Sequence, residues 1–220
     1  MRDASQFPRF SANEMASRHQ RVSSIIEEQE LDAIIFFGSG AFTTDIYWLT
    51  DWPGGRESYV IFQRDADPVV ITQLFNHVPM ARVLSVVEDV RWAGANTANT
   101  VCQFIGDCSL PAKRIGLVGP IPYRHYLLYA ESHPEITFTD VSGPFRMMRT
   151  IKQPEEIARL QKASELTDKS ISAVADGLKE GMREDEIPLL IESAYLEEGG
   201  YAGIHFMSSM PMNDPDFPVP

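Results

Sequence analysis

A short stretch of sequence, WPGGR at residues 52–56, places an arginine directly after two glycines. It precedes an apolar run typical of a β-strand. The planar guanidinium of Arg56 can bind a carboxylate through two parallel hydrogen bonds. The stretch therefore predicts either a loop that carries Arg56 to an anionic group outside its own domain, or a surface turn. In the second case Arg56 is a solvated cation or pairs with Asp51 or Glu57.

Other chemically reactive residues lack the spacing that a metal or catalytic site needs. Asp214 and Asp216 lie close together in a proline-rich tail, but two carboxylates are too few for an oxygen-ligated metal. His205 lies in a strand-like run and is interpreted as a structural histidine. The remaining candidate histidines have no carboxylate at useful spacing and are interpreted as surface or helix-end residues: His77, His125 and His133.

The charge and the cysteine content exclude several classes of protein. A formal net charge of -12 argues against a nucleic-acid or anionic-membrane partner, because both require clustered Lys and Arg. Cys102 and Cys108 form no zinc-binding pattern, so we interpret them as free thiols in a reducing compartment. The N-terminus has no apolar signal segment, and no apolar run is long enough to span a bilayer. We therefore expect a cytoplasmic protein without a membrane-bound segment.

The elements that must position Arg56 follow an α/β rhythm. Ser11 and Glu14 form a capping box at the start of a first helix. The run DAIIFFGS predicts a strand buried on both faces, and SYVIFQRDADPVVITQ predicts two strands joined by a tight turn. Helices and strands then alternate as far as EITFTDVS. The pattern predicts an α/β fold with a mixed β-sheet flanked by helices, because the hairpin interrupts the parallel order.

The character of the sequence changes near Gly143. A long amphipathic helix is predicted to begin at Pro154 and to end at Gly181. A second helix is predicted from about Asp185 to Glu198, followed by a strand over residues 201–212. These features predict two domains, residues 1–143 and residues 144–220.

Two parts of the sequence resemble a known enzyme family. The segment RTIKQPEEI at 149–157 resembles the Arg-x-Ile-Lys-x-Pro-x-Glu-Ile core that opens the pita-bread catalytic domain of aminopeptidase P, prolidase and creatinase. The stretches RHQRVSSIIEEQELDAIIFFG and DIYWLTDW resemble the creatinase-type N-terminal domain of the same family. The resemblance implies a creatinase-type N-terminal domain followed by the first helices and strand of an α+β pita-bread domain.

The resemblance also implies what this chain lacks. Family members hydrolyse their substrates with two divalent metal ions (Mn, Zn or Co), and the ligands of those ions lie beyond the last residue here. We therefore expect no catalytic residue and no metal site in this chain, which would be inactive alone. In the peptidases a histidine follows the first catalytic strand, but the matching positions here hold Phe217, Pro218 and Val219.

The family pattern bears on Arg56 as well. In creatinase-like relatives the N-terminal domain of one subunit reaches the active site of its neighbour in a homodimer. The resemblance carries a substrate-binding role to Trp52, Arg56 and one of Tyr47 or Trp48, and it implies a peptide or small amide-type substrate. Two alternatives stay open. One is a non-catalytic binding or assembly module, and the other is a relative with non-peptidase hydrolase or lyase chemistry.

Overall fold

The structure is a computed structural model, and it describes residues 9–40, 43–64, 66–107, 113–200 and 203–207. The chain divides into two compact units, Met1–Lys152 and Gln153–Pro220. The predicted division into residues 1–143 and 144–220 stays a prediction, since compactness alone does not define a fold domain.

A six-stranded mixed sheet forms the centre of the first unit, in the order β4-β3-β2-β1-β5-β6. Its strands are β1 (Ala33–Gly38), β2 (Ser58–Gln63), β3 (Val69–Thr72), β4 (Asp89–Trp92), β5 (Arg114–Val118) and β6 (Thr137–Asp140). β2 pairs antiparallel with both β1 and β3, and every other pairing is parallel. The mixed α/β sheet predicted from the hairpin is therefore confirmed.

Helices cover both faces of this sheet. They are α1 (Ala12–Glu28), α2 (Thr44–Thr50), α3 (Val78–Leu84), α4 (Thr97–Asp107), α5 (Tyr123–Ser132) and α6 (Ser142–Met148). One buried cluster joins α1, α2, α3 and α6 to one face, through residues such as Ile26, Trp48 and Phe145. A second cluster joins α4 and α5 to the other face, through residues such as Val101 and Tyr129.

The sequence explains the local structure of the first two elements. Ser11 is the N-cap of α1, and its side chain accepts a hydrogen bond from the Glu14 amide at 3.1 Å. This satisfies one of the backbone donors that a helix start leaves without a partner. All six residues of β1 are buried, as the continuous apolar run predicts for a strand covered on both faces.

A buried arginine, Arg18, forms an ion pair within α1 and a hydrogen bond to α2. Arg18 is 1% exposed, and its Nε donates to Glu14 Oε1 at 2.8 Å while Nη1 donates to the Trp48 carbonyl at 2.9 Å. Its guanidinium also lies over the rings of Phe10 and Trp48, at 3.7 and 5.0 Å from the centroids. These contacts satisfy a charge that would be costly to bury alone.

The second unit contains α7 (Pro154–Gly177) and α8 (Ile187–Ser193), flanked by short 3-10 turns. α7 ends at Gly177 rather than at the predicted Gly181, because Leu178 already has extended backbone. Residues 203–207 of the predicted final strand have no strand pairing, and the rest of that segment lies outside the described residues. No helix in the described part of the chain combines the length and the apolar character that crossing a bilayer demands.

We predict that Arg18→Met lowers the free energy of unfolding by about 3–5 kcal/mol, because it leaves the buried Glu14 carboxylate without its charged partner. Urea unfolding of the two proteins measures this difference. Arg91→Met is the matched control, since Arg91 and its partner Asp89 are 52% and 39% exposed. The control should lose less than about 1 kcal/mol. Equal losses in the two variants would contradict the assignment.

Candidate functional site

The loop that carries Arg56 connects α2 to β2 at one edge of the sheet. α2 closes at Asp51, which has a φ of +58°, and whose amide donates to the Tyr47 carbonyl at 2.9 Å. Ser58, the first residue of β2, lies opposite Gly38 of β1 and Thr72 of β3. Because β2 is antiparallel to β1 and β3, the loop lies at the end of the sheet that holds the C-termini of β1 and β3.

The two glycines have backbone angles that other residues rarely adopt. Gly54 has a φ of +73° and Gly55 a φ of +141°. A Cβ added to Gly54 would lie 2.7 Å from the Cγ2 atom of Thr43, and one on Gly55 would lie 3.5 Å from the His77 ring. The glycines therefore allow a closely packed, left-handed turn that presents the next residue to solvent.

The structure places the three predicted substrate-binding residues differently with respect to solvent. Arg56 is exposed, and among the described residues it has no hydrogen-bonded or ion-paired partner, neither Asp51 nor Glu57 included. Tyr47 on α2 is 38% exposed. Trp52 is 4% exposed, and its ring makes an edge contact with His77 at 6.1 Å between centroids. Their role in substrate binding stays a prediction.

Several buried polar atoms surround the base of this loop without a hydrogen-bond partner among the described residues. They are Trp52 Nε1, Ser58 Oγ, Thr72 Oγ1 and His77 Nδ1. Each such atom costs on the order of 1–3 kcal/mol when it is left unsatisfied. Buried polar atoms without a hydrogen-bond partner are expected at functional sites, where some stability is lost in favour of binding or catalysis. The Arg56 loop is thus the best candidate site on the β2 side of the sheet.

A buried phenol pair lies on the other face of the same region, and the sequence analysis did not detect it. Tyr129 Oη donates to Tyr59 Oη at 3.1 Å, and Tyr59 Oη lies 2.7 Å from His125 Nδ1. Burial raises the pKa of the Tyr59 and Tyr129 phenols well above the ordinary value, so both hydroxyls keep their protons. Periodicity alone shows that these side chains are buried, but not that their hydroxyls meet.

The expectation that His133 has no carboxylate partner is wrong. Its Nδ1 lies 3.7 Å from Glu135, and its Nε2 lies 3.0 Å from the Cys102 carbonyl and 3.6 Å from the Cys102 sulfur. Residues two apart in sequence do not face each other on a helix, so the spacing did not predict this pair. His133 lies just after the end of α5, where the chain turns and brings Glu135 close to its ring. Cys102 is a buried free thiol, as predicted, and Cys108 lies outside the described residues.

The described residues do not fit a metal ion. Among them, no group of three or more His, Cys, Asp or Glu side chains is close enough to hold one. His205 Nε2 lies 3.1 Å from Glu192 Oε1, which gives this histidine a structural partner. Asp214 and Asp216, and the positions 217–219, lie outside the described residues.

Comparison with known proteins gives a consistent result. The Creatinase/Prolidase N-terminal domain family matches residues 18–151. A curated relative, the Xaa-Pro dipeptidase of Pyrococcus furiosus, is 21% identical over 178 residues, which cover 81% of this chain and 47% of that protein.

Solved structures share the fold. The X-Pro aminopeptidase from Thermotoga maritima superposes with a TM-score of 0.70 at 19% identity, over 82% of this chain and 49% of that one. The Xaa-Pro dipeptidase from Bacillus anthracis gives a TM-score of 0.67 at 18% identity, over 86% of this chain and 50% of that one. This chain therefore spans about half the length of these three relatives.

We predict that Gly54→Ala destabilises the first unit by about 1–3 kcal/mol, because a left-handed alanine is strained and its Cβ would clash with Thr43. Thermal unfolding followed by circular dichroism measures the loss. Gly143→Ala is the control, since Gly143 is helical and nothing lies within 4 Å of its added Cβ. The control should be neutral or slightly stabilising. A neutral Gly54→Ala would mean that the loop is pliable.

Proposed function

Because this chain belongs to the Creatinase/Prolidase N-terminal domain family, we propose that it is the N-terminal part of a metal-dependent hydrolase of Xaa-Pro peptides or related small amides. The observation that carries the proposal is the family match, which includes every strand of the mixed sheet. The names of the relatives, Xaa-Pro dipeptidase and X-Pro aminopeptidase, support the substrate class. Since the chain spans about half of those proteins, catalysis is assigned to the longer protein.

Exposed apolar side chains in the second unit support this assignment. The stripe on α7 that predicts an amphipathic helix includes Ile157, Leu160 and Ile171, which are 46%, 54% and 65% exposed. Ile204 and Phe206 are 85% and 83% exposed. Exposed apolar surfaces of this kind mark sites of contact with other protein, with a ligand or with a membrane. We infer that they pack against the remaining part of a catalytic domain.

The described residues of this chain contain no converging group of three or more side chains that could hold the metal ions of the proposed enzyme. Two-metal hydrolysis requires several carboxylates that converge on one cavity. In our proposal the longer protein supplies them, with Mn, Zn or Co as the metal.

The proposed contribution of this chain is dimerisation and control of substrate access. In a homodimer, the first unit of one subunit would place Arg56 at the active site of the other, where its guanidinium binds a substrate carboxylate. Its exposure and its lack of a partner among the described residues support this role. The tightly packed glycines support a fixed direction for the loop. Tyr47 would border the substrate, and the buried Trp52 would hold the loop in position.

A binding or assembly module without catalysis is the second candidate. The exposed pair of Phe75 and Trp92, which are 70% and 48% exposed and 5.6 Å apart between ring centroids, favours it. Aromatic side chains are enriched at protein interfaces. The same pair is compatible with the dimer of the first proposal, so only activity separates the two.

We predict that Arg56→Ala in the longer protein lowers kcat/KM for a Xaa-Pro dipeptide by about 10- to 100-fold, because a charge-assisted contact to the substrate carboxylate is lost. Steady-state kinetics measures the change. Arg124→Ala, at an exposed arginine on α5, is the matched control and should keep the activity. Unchanged kcat and KM in Arg56→Ala would refute the role of Arg56 and leave the family assignment intact.

We also predict that the 220-residue chain hydrolyses no Xaa-Pro dipeptide when Mn, Co or Zn is added, because its described residues hold no converging ligand set. Intact-mass measurement must first show a species of 24.7 kDa, so that a longer protein does not contaminate the assay. Light scattering on the same sample gives the oligomeric state. Metal-dependent turnover by the 24.7 kDa species would contradict the proposal.

A further inference from the structure

A cleft of about 660 Å³ opens at the edge of the sheet where β5 and β6 end. Its walls come from three places in the chain: the start of α2, the segment that leads from β5 into α5, and the segment that leads from β6 into α6. The residues that line it include Asp45, Ile121, Tyr123, Tyr126, Asp140 and Arg146. The volume is within the range of roughly 300–1,000 Å³ that small-ligand sites have.

The topology of the sheet explains why a cleft forms at this point. β1 and β5 are parallel neighbours, but the helices that follow them lie on opposite faces of the sheet. After β1 it passes through α2 on one face and continues to β2, and after β5 it passes through α5 on the other face and continues to β6. In open α/β sheets, ligands bind at such switch points, outside the carboxyl ends of the strands.

The backbone at the base of the cleft is fixed. Gly119, which follows β5, has a φ of +96°, and a Cβ at this position would lie 2.3 Å from the Phe37 carbonyl oxygen. Its amide donates to Ser142 Oγ at 3.2 Å, which connects the ends of β5 and β6. The close approach of two strand ends thus leaves a preformed recess.

Charges of both signs line the cleft. Asp45 is committed to an ion pair with Arg149, but Arg146 is exposed and has no ion-paired partner among the described residues. Asp140 is exposed, and its Oδ1 accepts a hydrogen bond from the Ser142 amide at 2.9 Å. Hydrogen bonds from Ser142, and to a smaller extent the positive charge of Arg146, lower the pKa of Asp140, so this carboxylate stays ionised at neutral pH.

Aromatic and aliphatic side chains complete the walls. Tyr123 and Tyr126 are 71% and 37% exposed, and Ile121 and Leu117 are partly buried beside them. One cation and one ionised carboxylate beside apolar walls match a ligand that carries both charges and an apolar group. A phosphate-rich ligand would require several cations, and a divalent metal would require more than one available carboxylate.

We propose that this cleft binds a short zwitterionic peptide, whose carboxylate pairs with Arg146, whose ammonium pairs with Asp140, and whose apolar side chain packs on Tyr123 and Tyr126. The site is separate from the Arg56 loop and lies wholly within the first unit. It does not depend on the proposed hydrolase activity, because it needs neither metal nor the longer protein.

Titration of the 220-residue chain with the dipeptide Ala-Phe, followed by two-dimensional amide NMR, tests the proposal. We expect saturable shifts at residues 117–126 and 140–146. N-acetyl-Ala-Phe and the C-terminal amide of Ala-Phe should each bind about fivefold more weakly, because each lacks one charged contact. Failure of Ala-Phe to cause saturable shifts in these segments would overturn the proposal.

Variants then separate charge recognition from nonspecific adsorption. Arg146→Gln should bind the free dipeptide and its amide equally, because the carboxylate has lost its partner. Arg124→Gln, which replaces an exposed arginine outside the cleft, should keep the roughly fivefold preference for the free acid. Tyr123→Ala removes an exposed wall without disturbing the core, and it should weaken all three ligands. Retention of the acid preference in Arg146→Gln would overturn the proposal.

Discussion

The packing of three arginines around the indole of Trp48 is the constraint on which the first unit depends. Arg18, Arg21 and Arg149 each place a guanidinium 5.0–5.7 Å from a Trp48 ring centroid. The indole also packs edge-on against Phe145 of α6, at 5.5 Å between centroids. Because these residues come from α1, α2 and the end of α6, the indole fixes three helices at once. For Arg18, which is buried, the aromatic rings, the Glu14 carboxylate and the Trp48 carbonyl offset the cost of removing its charge from water.

This arrangement gives a structural meaning to the motif that connects the two units. Arg149, the first residue of the RTIKQPEEI motif, pairs with Asp45 of α2 and also lies over the Phe145 ring at 5.3 Å. Farther along, Glu156 accepts a hydrogen bond from the Gln153 amide at 2.9 Å and closes the first turn of α7. The motif thus ends one element and begins the next, and these contacts give Arg149 and Glu156 structural roles.

The position of α2 also affects both candidate sites, the cleft and the Arg56 loop. The start of α2 borders the cleft through Asp45, and its end leads into the loop that carries Arg56. Because β2 is antiparallel to β1 and β3, that loop lies at the end of the sheet where β1 and β3 terminate. The two candidate sites therefore share one edge and one short helix, although they lie on different sides of β1. Ligand sites at strand ends are typical of open α/β sheets.

The sequence alone determined the elements whose signals are local. The buried run of β1, the β2–β3 hairpin and the Ser11 N-cap of α1 follow from hydrophobic period, turn residues and caps, and all three are present. The short helices α2 and α6 were not predicted, because seven residues without a capping hydrogen bond form a helix only through tertiary packing.

The features of the candidate sites also separate into those with a local sequence signal and those that depend on tertiary packing. The sequence indicated Arg56 and its glycines, because a turn with positive φ angles favours glycine and is therefore visible in the residue types. It could not indicate that Trp52 is buried, that His133 meets Cys102 and Glu135, or that Arg146 and Asp140 line one cleft. These relations depend on which segments become neighbours in space. Only the tertiary structure decides that, because distance along the chain does not encode it.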